Sequence, residues 1–598
     1  MRDLVDEADL ATAAPPSNTR LESGALTAMA LASAAALAAC GSGAGGDGAT
    51  SVAPTGGRTI SLQGLAAANA LNGVSISAEQ ASRFLQHAQF SASDADIALV
   101  RSVGYAGWIE RQVATHFGTR GWDWLNSQGY ADPTNTKNFY DDSRQADYMA
   151  WHQLMAASDP MRKRMGLALS EYFVVSLSGL EFRWRSHAMA HYWDTLCAYA
   201  FGNFRGLLEA VTLHVAMGYY LNTKGNKKEN SSGRQPDENY AREVMQLFTV
   251  GLYLLNPDGT QQLDGNGKPQ ETYTSSDVSN LARVFTGYDV DMRQNVDVSV
   301  NGNTVGNTTF ARLPMLLTAS NHSTLAATFL GTTIPANTPA PEALKTALDT
   351  LFNHPNTAPF FCKQMIQRLV TSNPSPAYVA RVAAVFADNG QGERGDLAFV
   401  FAAILLDDEA RNATGLTAVE YGKLREPMLR LVQWGRTFGV GSTSGTWKIG
   451  DLSNAGTQLG QSPLRSPSVF NFFRPGYVPP STALSAGVVA PEFQLVTESS
   501  VGGYLNFMMG IINTGFNSLD IYANYTTELA LVLDPAALVR RLNLLLCAGQ
   551  LSATTQTVIA NALLGVPVNS GSSANTKRQR VCAAVLMVMA CPEYLVQK

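Results

Sequence analysis

Apolar residues recur every three or four positions along most of the chain from Ser77 onward, the spacing of helices that bury one face. The stretch SAEQASRFLQHAQF carries such a stripe at Ala81, Phe84, Leu85 and Ala88. Ser77 and Gln80 have the spacing of a capping box, which marks a helix start. The same signature recurs at Thr274 and Asp277 in YTSSDVSNLARVFTGY. These patterns predict a mainly α protein.

The stretch PDENYAREVMQLFTVGLY, residues 236–253, has the pattern of one such helix but places a charge near its apolar face. The apolar stripe consists of Tyr240, Val244, Leu247 and Phe248. With about 100° between successive residues, Glu243 falls at the edge of this stripe. A carboxylate there loses part of its hydration, and buried carboxylates are nearly always paired. We therefore predict a partly or fully buried Glu243.

Residues 289–317 depart from the helical pattern. Val296, Val298 and Val300 alternate with polar residues and lead into Asn301-Gly302, a strong hairpin turn signal. We predict a hairpin at about 295–306 inside a small β insertion at 289–317. The rest of the chain from 77 to 598 is predicted to form a single large multi-helix domain.

The N-terminal stretch Ala25–Cys40 is apolar and has the length of a signal-peptide core, too short to span a bilayer. It ends in Leu-Ala-Ala-Cys-Gly, which resembles the lipobox at which bacterial lipoproteins are cleaved before an acylated cysteine. We predict a lipoprotein-type signal peptide at 1–39, lipidation of Cys40, and a flexible tether at 40–76. The alternative is an alanine-rich tail with an incidental cysteine, since acidic residues outnumber basic ones before the apolar stretch.

This interpretation of the N-terminus also predicts where the protein resides. It places the chain in the cell envelope, on the outer membrane or facing the periplasm, or outside the cell. Contact with a membrane is then through the lipid anchor only. The formal net charge is −5, so there is no basic field to hold nucleic-acid phosphates, and we predict no nucleic-acid partner.

The cysteines and histidines suggest little metal chemistry. None of the cysteines has the CxxC spacing of a structural zinc site. Cys547 could pair with Cys582 or Cys591 in an oxidising compartment, or all three could be small core residues. In HAMAH, His187 and His191 lie one helical turn apart with Asp194 nearby, a spacing that can hold a metal ion. The favoured interpretation is packing beside Trp184 and Trp193, so no metal site is predicted.

Seven stretches carry a resemblance: AEQASRFLQHAQFSASDADIALVRSVGYAGWIERQ, AFGNFRGLLEAVTLHVAMGYYLN, DENYAREVMQLFTVGLYLLNPDGT, YTSSDVSNLARVFTGY, HPNTAPFFCKQMIQRLVTSNPSPAYVARVAAVF, GKLREPMLRL and SPSVFNFFRPGY. In this order they are similar to successive blocks of a bacterial family catalogued as domain of unknown function 1800. The resemblance implies an exported, mostly helical protein without an established activity or cofactor. It also implies a partner, because such proteins are often encoded beside a secreted protein of the sulfatase/alkaline-phosphatase-like kind.

The resemblance also implies functional positions. The family's asparagine–arginine–glutamate helix maps onto Asn239, Arg242 and Glu243, and its His-Pro-Asn turn maps onto His354, Pro355 and Asn356. Two positions depart from the family pattern. Tyr172 stands where a histidine is expected, and His322 is followed by Ser323 where an aspartate is usual, with no lysine shortly after. If those groups are catalytic in relatives, this chain lacks part of the machinery.

Two interpretations of Glu243 follow. In the first, which we favour, the protein is a non-catalytic scaffold or binding partner of another secreted protein, and Glu243 is a structural anchor. Its charge would then be met by an arginine from another helix, with Arg425 and Arg283 as candidates.

In the second interpretation the protein is an acid/base enzyme, possibly a hydrolase, that acts on envelope or extracellular material. Glu243 would be the general acid or base, because partial desolvation raises the pKa of a carboxyl group toward neutrality. His354 would be a second proton-transfer group. The candidate binding residues are Asn239, Arg242, Asn356 and Arg425.

The two interpretations predict different surroundings for Glu243. An open pocket with His354, His322 or Asp277 favours the enzyme, and a closed ion pair favours the scaffold. In both, we predict that Glu243 contacts a cation or several donors from a distant segment, with His354 and Arg425 first.

Overall fold

The computed structural model describes residues 56–67, 75–300, 302–480, 482, 484 and 487–598. The predicted signal peptide at 1–39 and its lipidation site Cys40 lie outside the described residues. Within the described part the chain is mainly α, as predicted, with 24 α-helices and only short two-stranded sheets. None of the described helices combines the length and apolar character needed to cross a membrane.

The helices are joined by short turns and by several long connections, the longest at 285–339 and 438–497. They are α1 (Gln63–Ala67), α2 (Ala78–Ala88), α3 (Asp94–Ala114), α4 (Gly121–Ser127), α5 (Arg144–Ala156), α6 (Pro160–Tyr172), α7 (Arg185–Tyr199), α8 (Phe204–Thr212), α9 (Val215–Tyr220), α10 (Asn239–Gln246), α11 (Ser275–Val284), α12 (Ala340–Asn353), α13 (Thr357–Leu369), α14 (Pro376–Ala387), α15 (Leu397–Leu406), α16 (Asp408–Arg411), α17 (Thr414–Thr417), α18 (Pro427–Thr437), α19 (Glu498–Thr514), α20 (Thr526–Ala530), α21 (Pro535–Cys547), α22 (Ala553–Leu564), α23 (Ala574–Ala590) and α24 (Pro592–Leu595).

The capping signals in the sequence mark real helix starts. The Ser77 hydroxyl accepts from the Gln80 backbone N–H at 3.2 Å, and the Gln80 side chain accepts from the Ser77 N–H at 2.9 Å. Thr274 and Asp277 form the same reciprocal pair at the start of α11. Each pair satisfies two of the backbone donors that a helix start leaves unbonded.

The strands pair two by two in antiparallel fashion. They are β1 (Tyr288–Asp289), β2 (Asp297–Val300), β3 (Asn303–Gly306), β4 (Leu316–Leu317), β5 (Ala327–Phe329), β6 (Thr332–Ile334), β7 (Lys423–Leu424), β8 (Gly441–Ser442), β9 (Ile521–Tyr522) and β10 (Val596–Gln597). β2 and β3 form the predicted hairpin, with Val298 opposite Val305. β1 pairs with β4 and closes the insertion at its base. The predicted β insertion is therefore confirmed, and its strands run from 288 to 317.

Three further pairs were not predicted: β5 with β6, β7 with β10, and β8 with β9. Their strands have two or three residues each, too few for an alternating pattern. The β7–β10 pair joins Lys423–Leu424 to Val596–Gln597. Arg83 Nε in α2 also donates to the Lys598 carbonyl at 2.9 Å. The last residues of the chain are thus tied both to its first long helices and to its middle.

Residues 56–67, predicted as part of the tether at 40–76, pack on the helical body. Arg58 donates from both terminal nitrogens to the buried Asp396 carboxylate, at 2.7 and 2.6 Å. Leu62 is fully buried, and its N–H donates to Glu110 at 2.7 Å. A composition rich in small residues does not reveal two such anchoring side chains.

The core is one continuous apolar cluster whose largest fully buried side chains include five tryptophans: Trp108, Trp151, Trp184, Trp193 and Trp434. The cysteines that the structure describes are all free. The Cys547 and Cys591 thiols lie close enough that each shifts the pKa of the other. Cys591 Sγ donates to the Val588 carbonyl at 2.9 Å, and Cys582 Sγ donates to the Ile512 carbonyl at 3.4 Å. Of the two pairings left open by the sequence, the structure brings together Cys547 and Cys591.

Candidate functional site

Glu243 lies on α10 and is buried, with 7% of its surface exposed, as predicted. Burial raises the pKa of its carboxyl group, and the positive charge of Arg242 offsets this only in part. Arg242 itself pairs with Glu238 at 3.1 Å. Among the described residues no group forms a hydrogen bond or ion pair with the Glu243 carboxyl, and its Oε2 is a buried atom without a partner. The predicted cation from a distant segment is therefore not found.

Two tyrosines from other segments lie close enough to Glu243 for its charge to raise their pKa values. Burial raises the pKa of Tyr220, at the end of α9, to about 12, and Glu243 adds to the shift. Burial also raises the pKa of Tyr273, whose hydroxyl donates to Gln246 at 3.0 Å. The Tyr220 ring packs on Gly179, where a Cβ would lie 2.7 Å from a ring carbon. The Glu243 surroundings thus offer a carboxyl group, two phenols and an amide.

The His354-Pro355-Asn356 turn lies away from the Glu243 carboxyl and has a structural role. Asn356 is buried; its Nδ2 donates to the carbonyls of Val250 and Tyr253 at 2.8 Å each, and its Oδ1 accepts from the Leu255 N–H at 2.9 Å. His354 Nδ1 accepts from the Asn356 N–H at 3.1 Å. Asn356 therefore holds the backbone that follows α10 in place. His354 forms no hydrogen bond or ion pair with Glu243 in the described structure.

The two arginines predicted as partners of Glu243 are bonded elsewhere. Arg425 is buried; its Nη1 donates to Gln433 at 2.6 Å, its Nε donates to the Tyr594 carbonyl at 3.1 Å, and its guanidinium lies over the Tyr594 ring. Arg283 donates to the Ala326 carbonyl at 2.7 Å. The prediction of an Arg425 or Arg283 partner is wrong, because helical periodicity gives the face of a residue but not the segment opposite it.

Six buried charged residues form what we call the ionic cluster: Arg164, Glu171, Arg368, Lys423, Glu426 and Glu492. Lys423 Nζ lies 3.1 Å from Glu492 and 3.5 Å from Glu426. Arg368 Nε lies 3.8 Å from Glu171. Burial raises the pKa of Glu171 well above its ordinary value, and the charge of Glu426 adds to this. The cluster joins α6, α13, the segment from β7 to the start of α18, and residues 491–495. It was not predicted because its members are far apart in the chain.

The histidines of α7 are bonded within the protein. His191 Nδ1 lies 2.9 Å from His214 Nε2, and His214 Nδ1 accepts from the Ala216 N–H at 3.1 Å. Burial lowers the pKa of His187 to about 3 and that of His191 to about 4. Asp194 accepts from the backbone N–H groups of Gly121 and Trp122. Among the described residues no three His, Cys, Asp or Glu side chains are arranged to hold a metal ion.

A cleft of about 520 Å³ lies against the β2–β3 hairpin, and we call it the insertion cleft. Its aromatic lining comprises Phe182, Trp184, Tyr219 and Phe310. The rings of Phe182 and Tyr219 are stacked with centroids 3.9 Å apart. Lys224 and Asp289, paired at 3.4 Å, give the cleft a polar side. The sequence predicted the insertion but not the cleft, because three of the four rings, Phe182, Trp184 and Tyr219, come from segments that precede the insertion.

Two apolar side chains of the insertion are exposed, and one of them lines the cleft. Met292, which lines the cleft, is 48% exposed, and Val296, just before β2, is 61% exposed. Apolar groups exposed next to an aromatic cleft are typical of surfaces that bind a ligand or partner.

Comparison with known proteins yields one match. The family described as "Protein of unknown function (DUF1800)" matches residues 83–596, nearly the whole chain. No curated protein and no solved structure matches it. The chain therefore belongs to the DUF1800 family, as the resemblance of its sequence blocks predicts.

Proposed function

We propose that this protein is an exported, lipid-anchored envelope protein that binds another secreted protein, and that the insertion cleft receives an apolar side chain of that partner. The observation that carries the proposal is the aromatic insertion cleft with Met292 exposed in its lining and the exposed Val296 nearby in the chain. The cleft volume, about 520 Å³, falls in the range of pockets that bury a small ligand or an anchoring side chain. The lipobox-like residues that end at Cys40 support the envelope location.

The partner we propose is the sulfatase/alkaline-phosphatase-like protein encoded beside such proteins. Its contact residue should be aromatic or aliphatic, because the stacked rings of Phe182 and Tyr219 present an apolar wall. The Lys224–Asp289 pair at the same cleft would contact polar groups around that anchor.

The experiment mixes the purified partner with the wild type and with the Met292→Asp/Val296→Asp variant, and measures affinity by calorimetry. Leu564→Asp is the matched control, since Leu564 is 60% exposed on α22. The control should bind like the wild type, and the cleft variant should bind at least about tenfold more weakly, the effect of losing an interface anchor. Equal affinities for all three would show that the cleft is not the docking site.

A second function, acid/base catalysis at Glu243, is supported by its raised pKa and by its lack of a cation partner among the described residues. A buried carboxyl group that holds its proton longer than usual is suited to act as a general acid. Tyr220 or Tyr273 would orient the substrate. This form of the enzyme hypothesis does not use His354, which is bonded to the Asn356 turn.

The test of the second function is a survey of glycoside, ester and phosphate- or sulfate-ester hydrolysis with wild type and Glu243→Gln. Turnover by the wild type that disappears in a folded Glu243→Gln variant would establish the enzyme. Turnover that Glu243→Gln retains would exclude Glu243 as its acid.

A further inference from the structure

A small pocket of about 140 Å³ lies beside α7, apart from both the insertion cleft and Glu243. Arg120, just before α4, and Arg312, inside the insertion, line it together with His191 of α7. Trp122 forms one side, and its ring is perpendicular to the His191 ring with centroids 6.1 Å apart. Three separate segments thus bring two guanidinium groups and one imidazole to the same small space.

The hydrogen bonds around His191 determine which of its nitrogens carries a proton. The Ala216 N–H donates to His214 Nδ1, so the proton of the neutral His214 ring is on Nε2. That N–H points at His191 Nδ1, 2.9 Å away, which therefore accepts. The neutral His191 ring must carry its own proton on Nε2. This nitrogen is a hydrogen-bond donor, and it has no partner among the described residues.

The two arginines at the pocket are also free to bind. Within the described part of the chain neither Arg120 nor Arg312 forms an ion pair or a side-chain hydrogen bond. The Arg312 guanidinium lies over the Trp122 ring at 5.6 Å, and that of Arg120 lies over the Phe117 ring at 5.2 Å. Aromatic faces orient a guanidinium without neutralising its charge.

Two carboxylates also line the pocket. Asp194 is buried, and its two oxygens accept from the N–H groups of Gly121 and Trp122 at 2.7 and 2.9 Å. Asp123 is exposed and forms no ion pair in the described structure. The donors with no protein partner therefore outnumber the acceptors that remain available to them.

We propose that Arg120, His191 and Arg312 bind a tetrahedral oxyanion, phosphate or sulfate, either as the free ion or as the terminal group of an ester. The pocket volume suits a group of this size. A planar guanidinium group can bind two oxygens of such an ion at once. The fixed Nε2–H of His191 can donate to another of its oxygens.

The experiment titrates inorganic phosphate into the full chain by calorimetry at constant ionic strength, and compares Arg120→Gln and Arg312→Gln with the wild type. Arg120 is partly exposed and Arg312 is exposed, so the variants should fold. Arg293→Gln, which removes an exposed arginine paired with Asp291, is the matched control. We expect saturable binding that the control retains and that each pocket variant weakens about tenfold or more, the loss of a charge-assisted hydrogen bond.

Two further titrations test the effect of the Asp123 charge and whether the ligand is a free ion or an ester. Asp123→Asn should tighten phosphate binding, because it removes a negative charge from the mouth of the pocket. Methyl phosphate that binds as well as inorganic phosphate would identify an ester end as the ligand, and weaker binding would identify the free ion. The proposal is overturned if the wild type shows no saturable binding of phosphate or sulfate, or if Arg120→Gln and Arg312→Gln bind like the wild type.

Discussion

Replacing Lys423 by Met tests whether the ionic cluster is charged in the folded protein. The Lys423 ammonium is buried and lies 3.1 Å from Glu492 and 3.5 Å from Glu426. At an effective dielectric constant of about 20, each contact contributes about 5 kcal/mol before desolvation is subtracted. Removing the cation leaves two buried carboxylates without it, and breaking a buried pair typically lowers the free energy of unfolding by about 3–5 kcal/mol. We expect Lys423→Met to lower the free energy of unfolding by an amount in that range.

Lys345→Met is the control for this prediction. Lys345 pairs with Asp349 at 2.6 Å, closer than any contact of Lys423 with a carboxylate, but its side chain is 74% exposed. Solvent screens such a pair, so its removal should lower the free energy of unfolding by at most about 1 kcal/mol. The shorter Lys345–Asp349 pair should therefore contribute less to the free energy of unfolding than the contacts of Lys423.

The assay is urea and thermal unfolding of wild type, both single variants and Lys423→Met/Glu492→Gln. The double variant should recover part of the loss, because it removes one of the two stranded charges. If Lys423→Met costs no more than Lys345→Met, the carboxyl groups of the cluster are held neutral in the folded state, and the reasoning above fails.

Three further predictions concern other residues. Glu243→Gln strands no cation. Because burial raises the folded pKa of Glu243, the wild type loses stability as pH rises from the ordinary carboxyl pKa through this raised pKa. The variant should therefore melt higher than wild type at about pH 8 but not at about pH 4. Equal melting temperatures at both pH values would contradict this. Asn356→Ala leaves three backbone groups without their partner, so hydrogen exchange measured by mass spectrometry should speed up at 250–255 before the rest of the protein. Mild oxidation should link Cys547 to Cys591 and leave Cys582 as a free thiol, which non-reducing peptide mapping can check.

Sequence patterns predicted the elements whose cause is local. The capping boxes at Ser77 and Thr274 involve side chains three residues apart, and the β2–β3 hairpin is set by its own alternation and turn. The burial of Glu243 followed from the helical period, which is also local. Such features depend on one segment, so one segment is enough to predict them.

The contacts between segments were not predictable in this way. Nothing in the sequence near Glu243 indicates that Tyr220 and Tyr273 approach it, or that Arg425 bonds to Gln433 and Tyr594. The ionic cluster likewise needs four segments to meet before its charges can compensate one another. Where several buried cations and anions are available, one sequence gives no means of choosing among the pairings.

The link from α2 to the last residues has a consequence for how fast the protein folds. Arg83 bonds to the Lys598 carbonyl across 515 positions of the chain, and β10 must pair with β7 beside Lys423. Helical proteins usually fold quickly because their contacts are local, but this closure requires the entropy of a very long loop to be lost first. We expect refolding to be slow and to pass through intermediates in which the individual helices are formed and this closure is still open.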